Sequence, residues 1–380
     1  MKRLLEILPF YSLDEALEYL DNGGDLLPLH HVWCYDQFKK DGYEVLFIKK
    51  KPSGILGKIG KLININNLQQ QLEVMRRAKE YDMIFDPFMQ FTFLIAVLKI
   101  LHIFNKPVLT ISQRAYVVNK KNPLKRARQY LTRYVYFKGI DKIVFINQSI
   151  FIESKKYKIE GNTDYLRFWG VDHYFFQNYN RAQMKPPKLD FIYSTGGSAR
   201  DYNTLLKAVK NIDFELRITA RPNFESELKT EIPSNVFVDS SITPGLTSTG
   251  QLREEYYNCL AVAIPLEKTY FFSPFGSTVV FEAMAAGKPI ISTDNKAYPF
   301  NIEKEGIGIL VDYYDVAGWE KAINFLVNNP GRAKEMGEKG QRLSRELYNC
   351  SAFSREILAH ADTSIKNSNF QVYSNKFRGV

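Results

Sequence analysis

The segment FFSPFGSTVVFEAMAAGKPIISTDN (271–295) contains a turn, a helix and a strand in succession. Residues that form turns and cap helices bound its central part: Pro274, Gly276, Ser277, Thr278 and Gly287. We expect Ser277 or Thr278 to be the N-cap of a helix that runs to about Ala286. The apolar run at 288–294 then predicts a strand buried on both faces. The segment therefore predicts one crossover unit of a parallel sheet.

Further strand-length runs of apolar and β-branched residues lie along the chain, each followed by a segment long enough for a helix. They occupy 43–50, 82–86, 107–112, 142–147 and 164–169 in the first half, and 189–194, 214–220, 235–239, 260–266 and 306–312 in the second. Such a series is typical of parallel sheets covered on both faces. The polar, Pro-containing stretch 176–190 interrupts it and predicts a linker. We therefore predict an α/β chain with two doubly wound, Rossmann-like parallel-sheet domains in tandem, facing a cleft.

The interruption and the last helix give the predicted domain limits. These are an N-terminal domain at 1–176, a linker at 177–189, a C-terminal domain at 190–350, a helix at 351–363 that crosses back to the first domain, and an irregular tail at 364–380. Ligands bind beyond the carboxyl ends of the strands in sheets of this kind. We therefore expect the functional residues in loops that face the cleft.

Length and composition exclude several classes of protein. The 380 residues suffice for two cores, and a 45% hydrophobic content excludes a disordered chain. Cys34, Cys259 and Cys350 are far apart in the sequence, so we expect no disulfide framework, no cysteine metal site and a reduced, cytoplasmic protein. Acidic residues interrupt the apolar N-terminus, so we expect no signal peptide. The apolar stretch 91–104 is shorter than the ~20 residues of a membrane span and predicts a helix packed on a sheet.

Positive charge is concentrated in the first half of the chain. Residues 1–185 contain 29 Lys and Arg against 18 Asp and Glu, whereas residues 186–380 contain 22 against 23. A surface that is basic on one side indicates an anionic partner such as phosphate, nucleic acid or an anionic membrane.

The stretch 114–142 carries much of this charge, with nine basic residues and one acid, Asp141. After Pro123 its basic residues alternate with aliphatic and aromatic ones, a pattern that suits an anionic membrane surface. The candidate membrane-facing residues are Lys120, Lys121, Lys125, Arg126, Arg128 and Arg133. The segment 49–61 offers a second basic, apolar surface. A solvated helix packed on the sheet is an equal alternative, and no nucleic-acid-binding signature accompanies the charge.

The helix predicted after Gly276 has an N-terminus suited to an anion. Free backbone N–H groups and the positive end of the helix dipole favour a phosphate or diphosphate there. Glu282 lies about 7.5 Å further along the helix axis, roughly the separation between a nucleotide's diphosphate and its ribose. A carboxylate at that position can accept hydrogen bonds from the ribose hydroxyls. An ordinary capped helix with one exposed Glu is the alternative of equal weight.

The run GSTVVFEAMAAGKPIIST resembles the nucleotide-sugar motif of GT-B glycosyltransferases, specifically the large retaining family 4, also called group 1. That motif has two Glu residues eight positions apart. The second matches Glu282, whereas the first falls at Pro274 and is absent. Gly276, Ser277 and Thr278 instead resemble a sub-pattern in which Gly and a small polar residue precede the helix. The resemblance leaves the identity of the donor sugar open.

Other segments resemble the same family. The run 167–176 is similar to the segment that closes its first domain, and 194–210 is similar to the loop that places a basic residue, here Arg200, against the donor diphosphate. Local pairing of Arg200 with Asp201 is the alternative. The stretch 21–45 resembles the family's Gly-Gly loop and following helix. Many relatives carry a His after the strand equivalent to 107–112, where this chain has Gln113 and Arg114.

The resemblance implies transfer of a sugar from a nucleotide diphosphate sugar to a hydroxyl acceptor, with retention of configuration. The acceptor is expected to be a glycan or lipid-linked glycan in bacterial cell-surface polysaccharide synthesis. The absence of a DxD motif fits a site without metal or cofactor. Either the cytoplasm or the inner face of the plasma membrane is the expected location. The alternatives are another GT-B enzyme such as an epimerase or phosphorylase, a non-catalytic membrane-surface protein and, least favoured, a nucleic-acid binder.

The site residues that follow from this resemblance form three groups. The catalytic candidates are Arg200, Glu282 and Arg114. The donor-binding candidates are Gly197, Ser198, Arg200, Pro274, Phe275, Gly276, Ser277, Thr278 and Glu282. The candidates on the acceptor or phosphate-facing side are Gly23, Gly24, Asp25, His31 and Gln113, where a structural role at the start of a helix is at least as well supported for His31.

Overall fold

The computed structural model describes most of the chain. The described residues are 2–7, 22, 27–48, 54–63, 65, 67–89, 92–116, 122–157, 161–183, 185–220, 224–240, 246–269 and 272–376. Within them strands and helices alternate, and the strands form two six-stranded sheets.

The first half of the chain forms the first sheet. Its elements in chain order are β1 (Lys2–Ile7), α1 (Tyr35–Lys40), β2 (Tyr43–Ile48), α2 (Ile55–Leu62), α3 (Leu68–Arg76), β3 (Met83–Asp86), α4 (Phe93–Ile100), β4 (Val108–Ser112), α5 (Pro123–Gly139), β5 (Lys142–Phe145), α6 (Gln148–Lys155) and β6 (Thr163–Tyr165). The strand order is β2-β1-β3-β4-β5-β6, and every pair is parallel.

The second half forms the second sheet. Its elements are α7 (His173–Ala182), β7 (Phe191–Thr195), α8 (Tyr202–Val209), β8 (Glu215–Thr219), β9 (Val236–Asp239), α9 (Leu246–Asn258), β10 (Ala261–Ile264), α10 (Ser277–Ala286), β11 (Ile290–Thr293), β12 (Gly308–Val311), α11 (Val316–Asn328), α12 (Pro330–Glu346) and α13 (Cys350–Lys376). The strand order is β12-β11-β10-β7-β8-β9, again with parallel pairs.

These two sheets confirm the predicted doubly wound α/β fold. Each strand predicted from an apolar run is present, although β6 covers 163–165 rather than 164–169. The helix predicted at 91–104 is α4, which packs against α5. The predicted domain limits remain predictions, because membership of a sheet does not define where a domain ends.

One strand was missed, and it lies inside the first sheet. β1 pairs with β2 on one side and β3 on the other. Lys2, Arg3 and Glu6 interrupt its apolar run, so the sequence pattern predicts no strand there. In a strand, successive side chains point to opposite faces, so charges and core residues can alternate. Leu4 is accordingly buried, whereas Arg3 pairs with Asp82.

The predicted linker and tail also differ from the structure. The stretch 176–190 is helical as far as Ala182, because α7 begins with the N-cap Asp172 and buries Phe175 and Phe176. α7 packs against α9 and α10. The tail predicted as irregular from 364 onward continues α13 as far as Lys376.

The last helix returns to the first sheet as predicted. α13 contacts α1 and β4, which belong to the first half. At its start Cys350 forms a disulfide with Cys34, with the two Cα atoms 5.6 Å apart. The prediction of no disulfide is therefore wrong, because sequence spacing carried no information about a crossover that joins residues 316 positions apart. Cys259 is free and buried.

Across the part of the chain described here, no helix combines the length and the apolar character that crossing a bilayer requires.

Helix α10 lies at the centre of the second half. Every residue from Ser277 to Ala286 is buried except Thr278. Its small residues permit close packing of α12, and a Cβ atom at Gly337 would lie 2.1 Å from the carbonyl oxygen of Gly287. Gly287 itself ends the helix with φ of +75°, a conformation that glycine adopts without strain.

Substitution of Gly337 with Ala should therefore lower the free energy of unfolding by about 1–3 kcal/mol, because the backbone of α12 must move away from α10. The matched control is Gly331→Ala in the first turn of the same helix, where an added Cβ meets nothing within 4 Å. The control should be neutral or slightly stabilising. Urea unfolding of both variants tests the close approach, which equal stability of the two would contradict.

Candidate active site

A cavity of about 650 Å³ lies between the loops that follow the strands of the two sheets. Most of the predicted site residues that the structure describes border it: His31, Gln113, Arg114, Gly197, Ser198, Arg200, Pro274, Phe275, Gly276, Ser277, Thr278 and Glu282. The loops after β4, β5, β7 and β10 all contribute to its wall. The structure thus brings residues from both halves to one cleft, at the carboxyl ends of the strands where ligands of such sheets bind.

The remaining predicted residues are elsewhere or undescribed. Gly23, Gly24 and Asp25 of the predicted acceptor side, and Lys120 and Lys121 of the predicted membrane surface, lie outside the described residues. Lys125, Arg126 and Arg128 are exposed on α5, and the Arg133 guanidinium lies over the Tyr130 ring. None of these four borders the cavity.

The turn before α10 begins the helix differently from the prediction. The N-cap is Gly276, with φ of +86°, rather than Ser277 or Thr278. A Cβ atom on Gly276 would lie 2.7 Å from the Tyr298 hydroxyl and 2.9 Å from Ile264 Cγ2, so only glycine fits this turn. Because the cap has no side chain, the first-turn amides receive no side-chain acceptor.

The Ser277 hydroxyl gives a second indication of a ligand at this helix end. Ser277 is 8% exposed, borders the cavity, and its Oγ has no hydrogen-bond partner in the described structure. A buried hydroxyl without a partner is unfavourable by ~1–3 kcal/mol. The Ser277 amide donates to the Pro274 carbonyl oxygen at 3.1 Å, and an anion bound at the N-terminus of α10 can satisfy both the Ser277 hydroxyl and the first-turn amides that follow Ser277.

Asn295, which the sequence did not suggest, holds the turn in place. Its Nδ2 donates to the carbonyl oxygens of Ser273 (3.1 Å) and Phe275 (3.2 Å), and its Oδ1 accepts from the Ala297 amide (3.0 Å). The loop after β4 contributes as well, because the Ser273 hydroxyl donates to the Gln113 carbonyl oxygen at 3.4 Å. The turn is therefore fixed by both halves of the chain.

Arg200 folds back over the loop that follows β7. Its Nε donates to the Thr195 carbonyl oxygen (3.2 Å) and its Nη1 to the Ser198 carbonyl oxygen (3.0 Å). The alternative of pairing with Asp201 is not observed, because Asp201 caps α8 and accepts from the amide and hydroxyl of Thr204. No described carboxylate forms an ion pair with Arg200, so its charge is available to the cavity.

Glu282 is buried rather than exposed, and both of its oxygens have partners. It is 3% exposed, with Oε2 accepting from the Tyr256 hydroxyl at 2.9 Å and Oε1 lying 3.3 Å from His30 Nε2. His31 Nε2 lies 3.8 Å from the same oxygen. Burial raises the pKa of Glu282, but hydrogen bonds from His30 and His31, together with their positive charge when they are protonated, oppose burial and lower the pKa to about 2. The carboxylate is thus ionised at neutral pH.

The cluster of His30, His31 and Glu282 has the ligand types of a metal site, with one candidate ligand atom from each within 4.8 Å of the others. A His that binds a metal normally donates its other ring N–H to an acceptor. His30 does the opposite, because its Nδ1 accepts the Asp172 amide at 3.1 Å. Its proton must then be on Nε2, the atom that a metal would need. The cluster therefore fits a hydrogen-bonded carboxylate and does not fit a metal centre.

Gln113 and Arg114 occupy the loop after β4, at the end of the cavity formed by the first half. The Gln113 side chain donates to the Pro87 carbonyl oxygen at 3.2 Å. Arg114 is exposed and borders the cavity, so its guanidinium is placed to meet an anion there.

His30, Tyr256 and Asn295 are the residues that sequence patterns missed. His30 is next to His31, which was predicted, and both precede a helix. Tyr256 lies at the end of α9 with no local signal, and Asn295 follows β11 as one polar residue among several. Only the folded arrangement distinguishes them from their neighbours.

Part of the chain matches the sequence profile of a known protein family. Residues 181–343 match the sequence profile of the family described as "Glycosyl transferases group 1". No curated protein sequence matches the chain closely enough to count as a relative.

Solved structures share the fold over nearly the whole chain. Sucrose-phosphate synthase from Thermosynechococcus elongatus is 16% identical with a TM-score of 0.65, each chain being covered completely. HepE from Anabaena, solved with UDP and glucose, is 13% identical with a TM-score of 0.63 over 95% of this chain and all of its own. WaaG, a glycosyltransferase of lipopolysaccharide biosynthesis, is 12% identical with a TM-score of 0.58 over 94% of this chain and 98% of its own. At these identities the likeness shows the fold alone, and it confirms the predicted GT-B fold.

Replacement of Asn295 with Ala should loosen the turn before α10, because three hydrogen bonds worth roughly 1 kcal/mol each are lost. Hydrogen exchange of the amides in 273–280 should become faster, while exchange in α12 stays unchanged. Asn295→Asp is a second, narrower variant, since it keeps the acceptor for Ala297 and loses only the donor to the turn. It should give the same faster exchange, and slow exchange in both variants would contradict the role of Asn295.

Proposed function

We propose that this chain is a group 1 glycosyltransferase that transfers a sugar from a nucleoside diphosphate sugar to a hydroxyl group of an acceptor. The observation that carries the proposal is the ionised carboxylate of Glu282, on the cavity wall a turn and a half beyond the open N-terminus of α10. A diphosphate and its ribose have charges and hydroxyls at a matching separation.

The diphosphate would bind at the N-terminus of α10. The Ser277 hydroxyl and the first-turn amides that follow Ser277 donate to its oxygens, and the helix dipole favours its negative charge. Arg200 faces the same cavity from the loop after β7 and brings a full positive charge without a competing carboxylate. Arg114 brings a second charge from the first half.

The ribose hydroxyls would bind Glu282. Each carboxylate oxygen has two lone pairs, so Oε1 and Oε2 can each accept one further hydrogen bond beyond those from His30 and Tyr256. Because the carboxylate is ionised, these bonds are charge-assisted and stronger than neutral ones.

Catalysis would rest on neutralising the leaving nucleoside diphosphate as the glycosidic bond breaks. The α10 N-terminus and Arg200 are held in place beside that charge, and Arg114 borders the same cavity. Pre-organised groups of this kind stabilise a transition state more than mobile water does. Enclosure of the cavity between the two halves limits hydrolysis of the donor. The resemblance of the nucleotide-sugar motif to the retaining family 4 supports retention of the anomeric configuration.

The acceptor would be a glycan or lipid-linked glycan. HepE was solved with UDP and glucose, and WaaG acts in lipopolysaccharide biosynthesis, which supports a nucleotide-sugar donor and a saccharide acceptor. The cavity is bordered by Trp33, Phe88 and Trp169, and flat aromatic faces suit sugar rings.

A basic and apolar surface on the first half supports a peripheral position on the inner face of the plasma membrane. In α5, Leu124, Leu131 and Tyr134 are exposed beside the exposed basic residues of the same helix. In α2, Ile55 and Leu62 are 77% and 86% exposed. Apolar side chains next to Lys and Arg favour insertion among anionic headgroups.

Replacement of Glu282 with Ala should abolish donor use while the chain remains folded, because the ribose loses its acceptor. Thermal-shift titration with UDP, GDP and ADP shows whether the variant is folded and which nucleotide it binds. Turnover with the sugars of the nucleotide that binds then measures donor use. Glu282→Gln retains the side-chain volume and should also lose most of its activity, since the charge is absent. Full turnover in either folded variant would contradict the proposed contact between Glu282 and the ribose.

The membrane proposal is tested by co-sedimentation with vesicles. We expect binding to vesicles containing phosphatidylglycerol, little binding to pure phosphatidylcholine, and release by salt. The double variant Leu124→Asn with Leu131→Asn should bind more weakly, while Phe325→Asn, an exposed apolar residue on α11 in the second half, is the matched control. Equal binding of both variants would exclude α5 as the contact.

A further inference from the structure

The His30 side chain connects three parts of the chain that are distant in sequence. Its Nδ1 accepts the backbone amide of Asp172, and its Nε2 contacts Glu282 in the other half. The Asp172 carboxylate in turn accepts the amides of Leu29 (3.2 Å) and Phe175 (3.2 Å), so the segment before α1 is tied to the start of α7. Both ring nitrogens of His30 are thereby used.

This geometry fixes the tautomer of His30. The Asp172 amide can only donate, so Nδ1 must be without a proton. The neutral ring then has its proton on Nε2 and donates it to Glu282 Oε1. Burial and the neighbouring His31 lower the pKa of His30, while Glu282 and Asp172 oppose that shift. His30 is 7% exposed, so its ring has little freedom to turn away.

We propose that His30 is a positioning residue for nucleotide binding: it donates its Nε2 proton to Glu282 and keeps that buried carboxylate ionised and aimed at the ribose. This inference rests on the proposed function. It adds that the first half of the chain controls a donor contact made in the second half. Donor binding therefore depends on the contact between His30 in the first half and Glu282 in the second.

Two substitutions separate the two ring nitrogens. His30→Asn keeps an acceptor near the position of Nδ1 for the Asp172 amide and removes the donor to Glu282. His30→Gln places an amide donor near the position of Nε2. His102→Asn is the control, because His102 is exposed with φ of +57°, a conformation that Asn tolerates.

Binding of the nucleoside diphosphate that gives the largest thermal shift among UDP, GDP and ADP should weaken about tenfold in His30→Asn at pH 7.5. It should remain within about threefold of wild type in His30→Gln and unchanged in His102→Asn. Without the Nε2 donor, only His31 and the Tyr256 hydroxyl oppose the burial that raises the pKa of Glu282, so its carboxylate is more readily protonated as the pH falls. We compare the Kd of each variant with that of the wild type at the same pH, because titration of the nucleotide itself cancels in this ratio. The ratio should grow at least threefold from pH 7.5 to 5.5 for His30→Asn. It should stay level for His30→Gln.

A readout without nucleotide keeps this inference separate from the proposed function. The chain has five His residues, so 15N-histidine labelling gives few signals, and the His30 variants assign one of them. We expect His30 to keep a protonated Nε2 and an unprotonated Nδ1 from pH 5.5 to 7.5. A protonated Nδ1, a level Kd ratio in His30→Asn, or a Gln variant as weak as the Asn variant would overturn the role of His30. Absence of nucleotide binding by the wild type would overturn the proposed function, while the NMR signal would still decide the tautomer.

Discussion

The buried carboxylate of Glu282 is the interaction on which the arrangement of the cleft depends. An ionised carboxylate removed from water is strongly unfavourable unless hydrogen-bond donors surround it. Here the donors are His30 from the first half and Tyr256 from α9. Because the charge is in one half and a required donor is in the other, the two halves cannot separate without exposing Glu282 to water or leaving it uncompensated.

The same principle of shared support applies to the turn before α10. Asn295 holds it from the second half, and backbone groups of the loop after β4 hold it from the first, including the Ala115 amide that donates to the Phe272 carbonyl oxygen at 3.1 Å. The Asn147 side chain adds a contact between the halves by donating to the Ala297 carbonyl oxygen at 3.0 Å. A turn fixed in this way can present its amides to a ligand without first paying the entropy of ordering.

Much of the fold could be predicted from the sequence because buried parallel strands are nearly continuous apolar runs. The exception is β1, because Lys2, Arg3 and Glu6 interrupt the apolar run by which a buried strand is predicted. The position of α10 and its end at Gly287 followed from local rules of helix capping. The N-cap did not, because the close approach of Tyr298 and Ile264 to Gly276 depends on residues outside the helix.

Some features of the site could likewise be predicted from local sequence, whereas contacts between distant residues could not. Residues within one local motif, 276–278 and Glu282, could be proposed from the sequence, where spacing left two alternatives of equal weight and the family resemblance favoured nucleotide binding. That Glu282 is buried could not, since its partners His30 and Tyr256 are 252 and 26 positions away. Pairing of Arg200 with Asp201 was open in the sequence, and only the use of Asp201 as a cap for α8 settles it.

The Cys34–Cys350 disulfide has a topological consequence. It closes the chain into a covalent loop that contains both sheets except β1, and the segment 185–190 between α7 and β7, much of which is exposed, lies inside the loop. A protease that cuts this segment leaves two fragments joined through sulfur. The halves of a nicked molecule therefore cannot diffuse apart, and the cleft between them survives a broken backbone until a reductant reaches the bond.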